Sequence, residues 1–413
     1  MRNKHWLRFS VASLTLVAAG LGTFLVACGD DDDDNNPRPD SGTPDTGTPD
    51  GGNNNTDDGG TDGGDGGPKA PPAKLQLVNA ATSLGADPLN ASNALRVCYG
   101  LGETAEQANN VAAVAALPPL PDLKAADAQP FAGLFQGTGG PVATTGASFE
   151  KLVIVPYLVS AKSLFDRGVV RENGQPPNPA TCKAIFNKTV DAGITPELVE
   201  GKDYWKLAPI PADTLKDGKS YILVLTGCAG DAELGADKCG VAPAGEPGNG
   251  NLAVTVHEVD NTTAIGENAI GAQFIQASFA LDSSLEGQAG GALQPKPGFI
   301  SDPQDPATFK AVNPGADVPT NTITALAQVE GVTVASDSFT ANANAVPTAN
   351  YTQLLPVISA ISGGVTYANG KAFTFIGVGD PAIAFGANPA GPFNFAGFHF
   401  LALPNDPTIP AFE

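Results

Sequence analysis

The sequence predicts an all-β protein with two tandem β-sandwich domains. Glycine (49 residues) and proline (36 residues) are abundant, and the pattern of long charged helices is missing, which favours short strands joined by loops. Several strand motifs also occur twice in the same order. The 413 residues leave room for two ordinary domains after the N-terminal segments, and we expect these domains at residues 73–262 and 263–413.

The first 27 residues are predicted to be a signal peptide. Three basic residues precede an apolar run of eighteen residues, Phe9 to Val26, and small residues follow, which is typical of an export signal. The string Leu25-Val26-Ala27-Cys28 resembles the lipobox of bacterial lipoproteins. That resemblance implies cleavage before Cys28 and acylation of its thiol. The alternative is an uncleaved transmembrane helix, because the run is close to the shortest one that spans a bilayer.

The resemblance also implies a cellular location and a partner, which is the lipid bilayer. An Asp after the cysteine is associated with retention in the inner membrane of Gram-negative bacteria. Gly29 stands at that position, so the implied location is the cell envelope, at the outer membrane.

Residues 28–72 are predicted to form a disordered acidic spacer. Gly29 to Pro72 contains twelve Asp and no Leu, Ile, Val, Phe, Tyr or Trp, so it has almost no apolar area to bury. As a flexible coil it would hold the domains on the order of 35–40 Å from the lipid. Calcium binding is the alternative interpretation, but the aspartates lack the spacing of a dedicated calcium loop and its closing Glu.

The charge of the chain bears on its partners. Asp and Glu number 43 against 22 Lys and Arg, which gives a formal net charge of −21. An acidic surface does not bind phosphates by releasing counterions, so we expect no nucleic-acid partner. The charge instead favours solubility and repulsion between copies.

Four cysteines follow Cys28, and an oxidising compartment favours disulfides between them. They allow three connectivities. We favour Cys228–Cys239, which would close a loop after a strand, and Cys98–Cys182 by elimination. Buried unpaired thiols are the alternative, and no Cys-x-x-Cys or Cys/His spacing indicates a metal site.

The two halves share three motifs and a final strand in one order, which indicates a duplicated domain. Each half has a strand ending in Asn or Gln, then Tyr-x-x-Leu-x-Pro, then Gly-Lys before an apolar strand that ends at a Gly. The corresponding segments are 75–81 and 272–278, 204–210 and 351–357, 218–225 and 370–378, and the last strands 252–259 and 398–403.

These motifs predict the local structure. The strands that follow Lys219 and Lys371 are apolar on both faces, as in a buried strand. Short strands with long loops suit a sandwich in which one face of each sheet is buried. Glu103 to Leu117 and the stretch after Thr195-Pro196-Glu197 are the helix candidates, and both are interpreted as insertions in the first copy.

The order of these motifs resembles a family of exported bacterial repeat domains that is known only as a domain of unknown function. Its members occur in tandem in surface lipoproteins and anchored extracellular proteins. The resemblance covers residues 73–262 and 266–408 and implies immunoglobulin- or transthyretin-like sandwiches. The chain departs from the pattern in its insertions and in having cysteines only in the first copy. The family has no established catalytic residues to carry over.

The sequence shows no catalytic or metal-binding motif, and we expect neither cofactor nor metal. There is no Gly-x-Ser-x-Gly string. Gly218-Lys219-Ser220 imitates the end of a phosphate loop, but it is better explained as a turn that starts a strand. His257-Glu258 lacks the second His of a zincin, because Asn261 stands there. His257 and His399 occupy different repeat positions, so a histidine-based site is not expected.

Tyr204 and Trp205 form the one aromatic pair that could bind a ligand, since exposed aromatic rings stack on sugars or protein surfaces. Their alternative interpretation is a place in the core. The predicted function is a non-enzymatic surface lipoprotein with a structural, adhesive or binding role toward a glycan or protein ligand. The alternative is an envelope hydrolase or carbohydrate-acting enzyme with a carboxylate site in the insertions of the first domain.

Overall fold

The computed structural model forms two units by its contacts, Met1–Asp65 and Gly66–Glu413. All described residues lie in the second unit. They are residues 70–81, 95–109, 137–142, 146–160, 163, 182, 186, 198–227, 252–278, 296–302, 305–313, 318–334, 336–340, 365–380, 386–387, 393–394 and 397–409. The predicted signal peptide, lipidation site and most of the spacer therefore lie outside the described residues.

The described structure is nearly all β, which confirms the predicted fold class. Its strands form two groups, one for each half of the chain. The first group is β1 (Lys74–Asn79), β2 (Leu95–Gly102), β3 (Thr138–Pro141), β4 (Val153–Ser160), β5 (Tyr204–Lys206), β6 (Ser220–Thr226) and β7 (Ala253–Val259). The second group is β8 (Ala269–Gln276), β9 (Gly298–Ile300), β10 (Phe309–Ala311), β11 (Ala327–Glu330), β12 (Ser338–Thr340), β13 (Ala372–Val378), β14 (Gly386–Ala387), β15 (Phe393–Asn394) and β16 (His399–Pro404).

Both groups build the same four-stranded sheet. In the first half, sheet A has the order β3-β1-β6-β7, and in the second half sheet C has the order β11-β8-β13-β16. In each sheet the first strand of its half pairs in parallel with the strand that follows the Gly-Lys turn. Each half adds a three-stranded sheet, sheet B (β2-β4-β5) and sheet D (β10-β9-β12), and β14 pairs with β15. The shared strand order agrees with the predicted duplication.

The strand register aligns the two halves residue by residue. Leu75 lies opposite Tyr221 in sheet A, and Ala272 lies opposite Phe373 in sheet C, as the aligned motifs require. The glycines around these strands also match in backbone conformation: φ is 79° at both Gly218 and Gly370, 88° at Gly227 and 86° at Gly379. These left-handed positions favour glycine, because a Cβ is strained there. The corresponding segment 351–357 lies outside the described residues.

The four sheets stack in the order B, A, C, D. Side chains of sheets A and B share one core, and side chains of sheets A, C and D share another, which includes Val78 and Ile222 from the first half and Phe274 and Ile376 from the second. Each inner sheet is therefore covered on both faces, which differs from the expected sandwich with one buried face per sheet. The reason is that the second copy supplies the missing cover, and it explains why these strands are apolar on both faces.

Helix is scarce in the described part of the chain. Within the candidate Glu103 to Leu117, α1 covers Ala105–Ala108, and the rest from residue 110 lies outside the described residues. Thr104 caps α1 through a capping box with Gln107. The helix candidate after Thr195 does not extend through residues 198–200, where Glu200 instead bridges to Tyr204.

Candidate functional site

Buried polar side chains join the two repeats at their junction. Asn405 is fully buried, and its Nδ2 donates hydrogen bonds to Gln273 Oε1 at 2.7 Å and to the carbonyl oxygen of Asp260 at 2.9 Å. Gln76 of the first repeat donates from Nε2 to the carbonyl oxygen of Pro404 at 2.8 Å. The bonds from Asn405 to Asp260 and from Gln76 to Pro404 cross between the repeats inside the protein, so they fix how sheet A lies on sheet C.

A compact turn begins the segment between β7 and β8. The carboxylate of Asp260 accepts hydrogen bonds from Thr263 Oγ1 at 2.7 Å and from the backbone amides of Thr262 and Thr263, each at 3.0 Å. These bonds, that from the Thr263 hydroxyl above all, lower the pKa of Asp260 to about 2. The Asp260 amide donates to Gln273 Oε1 at 2.9 Å, which ties the turn to β8.

A cleft of about 460 Å³, which we call the junction cleft, opens beside this turn. Its lining includes polar side chains from both repeats: Asn261, Thr262 and Thr263 from the turn, and Lys371 and Asp406 from the second repeat. Lys74 Nζ binds the Asp406 carboxylate at 2.5 Å. Asp406 is the one carboxylate in the described lining, so this set of groups suits hydrogen bonding to a polar ligand better than acid–base catalysis by a carboxylate pair.

A second cavity, of about 60 Å³, lies between sheets A and B of the first repeat. We call it the apolar cavity, because its lining is almost entirely hydrocarbon. Leu77, Leu223 and Val254 line it from sheet A, and Val97 and Ile154 line it from sheet B. The sequence analysis did not single out these residues.

Trp205 lies in the core between sheets A and B with 7% of its surface exposed. Its neighbour Tyr204 is half-buried, with its ring 5.1 Å from that of Phe186 and 6.3 Å from that of Tyr157. The aromatic pair is therefore a packing element, which agrees with the alternative interpretation of a place in the core, and Trp205 keeps little surface for stacking on a ligand. The cause is strand alternation: Trp205 pairs with the fully buried Leu158, and successive side chains point to opposite faces.

The structure joins Cys98 of β2 to Cys182 in a disulfide, with their Cα atoms 5.4 Å apart. Both side chains are fully buried, in a cluster with Tyr157 and Val155. The bridge fastens part of the first repeat's insertions to sheet B. Cys28, Cys228 and Cys239 lie outside the described residues.

The two histidines lie apart and each has its own local partners. His257 Nε2 is 2.9 Å from Thr255 Oγ1, and burial lowers the pKa of His257 to about 4. The ring nitrogens of His399 lie 2.7 Å from the carbonyl oxygen of Gly397 and 2.8 Å from that of Gly137, which belongs to the first repeat. Burial lowers the pKa of His399, although both carbonyl contacts oppose that shift.

The Gly-Lys turns start strands, as the sequence analysis favoured. Gly218 lies at a turn, and Ser220 is the fully buried first residue of β6. Ser220 Oγ accepts a hydrogen bond from Asn261 Nδ2 at 3.0 Å, and Lys219 pairs with Glu258 at 2.9 Å. These contacts account for the whole motif without a phosphate ligand.

In the described part of the chain, no group of three or more His, Cys, Asp and Glu side chains is placed to hold a metal ion. None of the helices among the described residues is long and apolar enough to cross a bilayer. The chain matches no protein-family model, and no curated protein shows significant similarity to it. The resemblance to exported repeat domains therefore stays a prediction.

Proposed function

We propose that this protein is a lipid-anchored lipoprotein of the bacterial cell envelope, at the outer membrane, with a structural, adhesive or binding role rather than a catalytic one. The observation that carries this proposal is the string Leu25-Val26-Ala27-Cys28 at the end of a basic, then apolar, leader. The acidic segment that follows has the composition of a solvated stalk. Acyl chains on Cys28 would anchor it stably, since more than one chain is needed for lasting attachment.

The architecture supports a passive role. Two copies of one sandwich share a core and a layer of buried hydrogen bonds, which makes a stiff body suited to presenting a surface. The resemblance to tandem exported repeat domains agrees with such a role. We assign ligand binding to the junction cleft, whose hydroxyl, amide and ammonium groups hydrogen-bond to sugars or to polar protein surfaces.

Metabolic labelling with an alkyne-bearing fatty acid tests the anchor. We expect the wild-type chain to be cleaved and labelled, and Cys28→Ala to remain an unlabelled precursor. Cys228→Ala is the matched control, because it removes another thiol and leaves the leader untouched. Label and normal processing in Cys28→Ala would overturn the anchor; membrane fractionation alone would not decide, since an uncleaved leader also holds the chain in the bilayer.

A glycan array and a hydrolase panel test the non-catalytic role, with the full chain in lipid nanodiscs. We expect retention of a glycan or protein ligand, weakened by Lys371→Ala in the junction cleft, and no turnover. Turnover of any substrate by the wild-type protein would favour the enzyme alternative instead.

A further inference from the structure

Three side chains that line the apolar cavity are smaller than those at the equivalent positions of the second repeat. The strand register equates Leu77 with Phe274, Leu223 with Phe375, and Val254 with Phe400. The three phenylalanines have no exposed surface. Leu77 keeps 4% of its surface exposed, and Leu223 and Val254 are half-buried.

The second repeat shows what fills this position in the fold. The rings of Phe339 and Phe375 stack at 4.1 Å, and the ring of Phe400 meets that of Phe339 edge-on at 5.0 Å. The register also equates the small Ala272 and Gly377 of the second repeat with Leu75 and Leu225 of the first. The two repeats therefore place their large apolar side chains at different equivalent positions, and the first has a cavity where the second has aromatic rings.

We propose that the apolar cavity binds the end of an alkyl chain, supplied by a free fatty acid or by a membrane lipid. Its lining supplies hydrocarbon for contact, so the bound part of the ligand must be uncharged and apolar. A cavity of about 60 Å³ is roughly twice the volume that one water occupies in the liquid, and it suits a few carbon atoms. The half-buried Leu223 and Val254 lie where the rest of the chain leaves toward the surface.

This inference goes beyond the proposed function, which assigns the binding of polar ligands to the junction cleft, and it concerns a separate cavity. It does not depend on acylation of Cys28, because a free fatty acid reaches the cavity of an unanchored protein as well. Label and normal processing in Cys28→Ala would thus overturn the anchor without overturning the alkyl site. Likewise, an absence of photolabel at the cavity residues would not contradict the proposed anchor.

Photolabelling tests the proposal on the full chain in its membrane. A fatty acid with a diazirine near its methyl end is added in one arm, and vesicles of a phosphatidylcholine with the same diazirine are used in the other. We expect the carbene to insert at cavity residues such as Val97, Ile154 and Leu223, mapped by peptide mass spectrometry. The arm that labels these residues identifies the source of the chain, and label in either arm supports the site.

Filling the cavity must remove this label. Val254→Phe introduces the residue of the second repeat, and we expect about tenfold less label at the cavity, the loss that two methylene contacts would cause. Val256→Phe is the matched control: it lies on the same strand and sheet face, also half-buried, but outside the cavity lining. It should keep the label.

The proposal is overturned if both arms leave the cavity residues unlabelled, or if the label there survives filling. Thermal unfolding of each variant checks that it is folded. Leu223→Phe and Val254→Met fill the same space in other ways, so a misfolded Val254→Phe would not leave the question open. Cavity residues that stay unlabelled in the wild-type protein overturn the proposal without any variant.

Discussion

His257 is a buried histidine whose surroundings explain its altered titration. It lies on β7, on the face of sheet A that points toward sheet C, and keeps 6% of its surface exposed. Its Nε2 forms a hydrogen bond with Thr255 Oγ1 on the same strand. With its lowered pKa, His257 is a neutral core residue at pH 7. His399 has other partners, the carbonyl oxygens of Gly397 and Gly137, so each ring is held by its own local contacts.

The pKa of His257 makes the stability of the protein depend on pH. Its pKa of about 4 in the folded state is below the ordinary 6.5, so unfolding takes up a proton between about pH 4 and pH 6.5. Stability is then lost as the pH falls, by about 2 kcal/mol for this group between pH 7.5 and pH 5. Urea unfolding at the two pH values measures the loss.

The matched variant for this prediction is His257→Gln. It should lose less stability on acidification than the wild type by about the same 2 kcal/mol. His399, whose pKa is also lowered, titrates in both proteins and cancels from the comparison. Equal losses in the two proteins would show that His257 does not titrate in this range.

The residues of the apolar cavity show a different limit of sequence reasoning. Leu77, Leu223 and Val254 look like ordinary core residues, and only their register with Phe274, Phe375 and Phe400 makes them distinctive. The aligned motifs already pair these residues of the two repeats. Motifs, however, are found by similarity, so they do not draw attention to positions where one repeat has a smaller side chain. Packing in three dimensions was needed to reveal the gap.

At the scale of elements, the strands were predictable where their signal is local. The Gly-Lys turns, the apolar strands after them and the closing glycines all stand in the structure where the motifs place them. The apolar pattern predicted that the strands after the Gly-Lys turns are buried on both faces, but not what covers them, because each covering sheet comes from the other repeat or from distant segments. Trp205 was undecided for the same reason, since its burial depends on sheet A.

Equivalent turns should respond equally to substitution. Gly218 and Gly370 share a φ of 79°, and the nearest atoms to an added Cβ are 3.5 Å and 3.9 Å away, so strain in the left-handed backbone is the main cost of an alanine. We expect Gly218→Ala and Gly370→Ala each to lower the free energy of unfolding by about 1–2 kcal/mol, measured by chemical denaturation.

Gly266→Ala is the control for these turns. Gly266 does not have a left-handed φ, and the nearest atom to its added Cβ is 3.8 Å away. We therefore expect a change within about 0.5 kcal/mol. A much larger loss at one Gly-Lys turn than at the other would contradict their structural equivalence.

The Cys98–Cys182 bridge should contribute strongly to stability. It joins residues 84 positions apart, and closing so long a loop restricts the unfolded chain. By chain entropy it contributes up to about 4–5 kcal/mol. Reductant should lower the urea midpoint of the wild type toward that of the double variant Cys98→Ala, Cys182→Ala.

Cys228 and Cys239 remain in both proteins, so the double variant with and without reductant measures their share, and the rest of the change in the wild type belongs to the Cys98–Cys182 bridge. Peptide mapping without reductant should recover Cys98 and Cys182 in one linked species. A wild-type midpoint that is indifferent to reductant, with both thiols free by mass, would contradict the bridge.

At the scale of the whole molecule, the central claim is that the two repeats form one cooperative body. Side chains of both halves share a hydrophobic core, and Asn405 joins them through Gln273 and Asp260. Such a body suits an anchored protein that presents a fixed surface at the end of a stalk. The proposed anchor lies in the segments before residue 70, which are interpreted from the sequence alone.

Asn405→Ala perturbs this junction and tests the claim. The variant removes the acceptor of the Thr374 hydroxyl, which donates to Asn405 Oδ1 at 2.7 Å, as well as the bond to Gln273 and the bond to Asp260 across the junction. Buried groups without partners cost free energy, and we expect a loss of roughly 2–4 kcal/mol. Asp406→Ala, next in the chain, is the control, because its pair with Lys74 is exposed and contributes less than about 1 kcal/mol.

Native-state hydrogen exchange of the amides in β6 and β13 is the most direct measurement. If the repeats unfold as one body, both strands exchange with the same opening free energy, and Asn405→Ala lowers the two values equally. If β13 loses protection in the variant while β6 keeps its own, the repeats are independent domains and the shared core does not couple them.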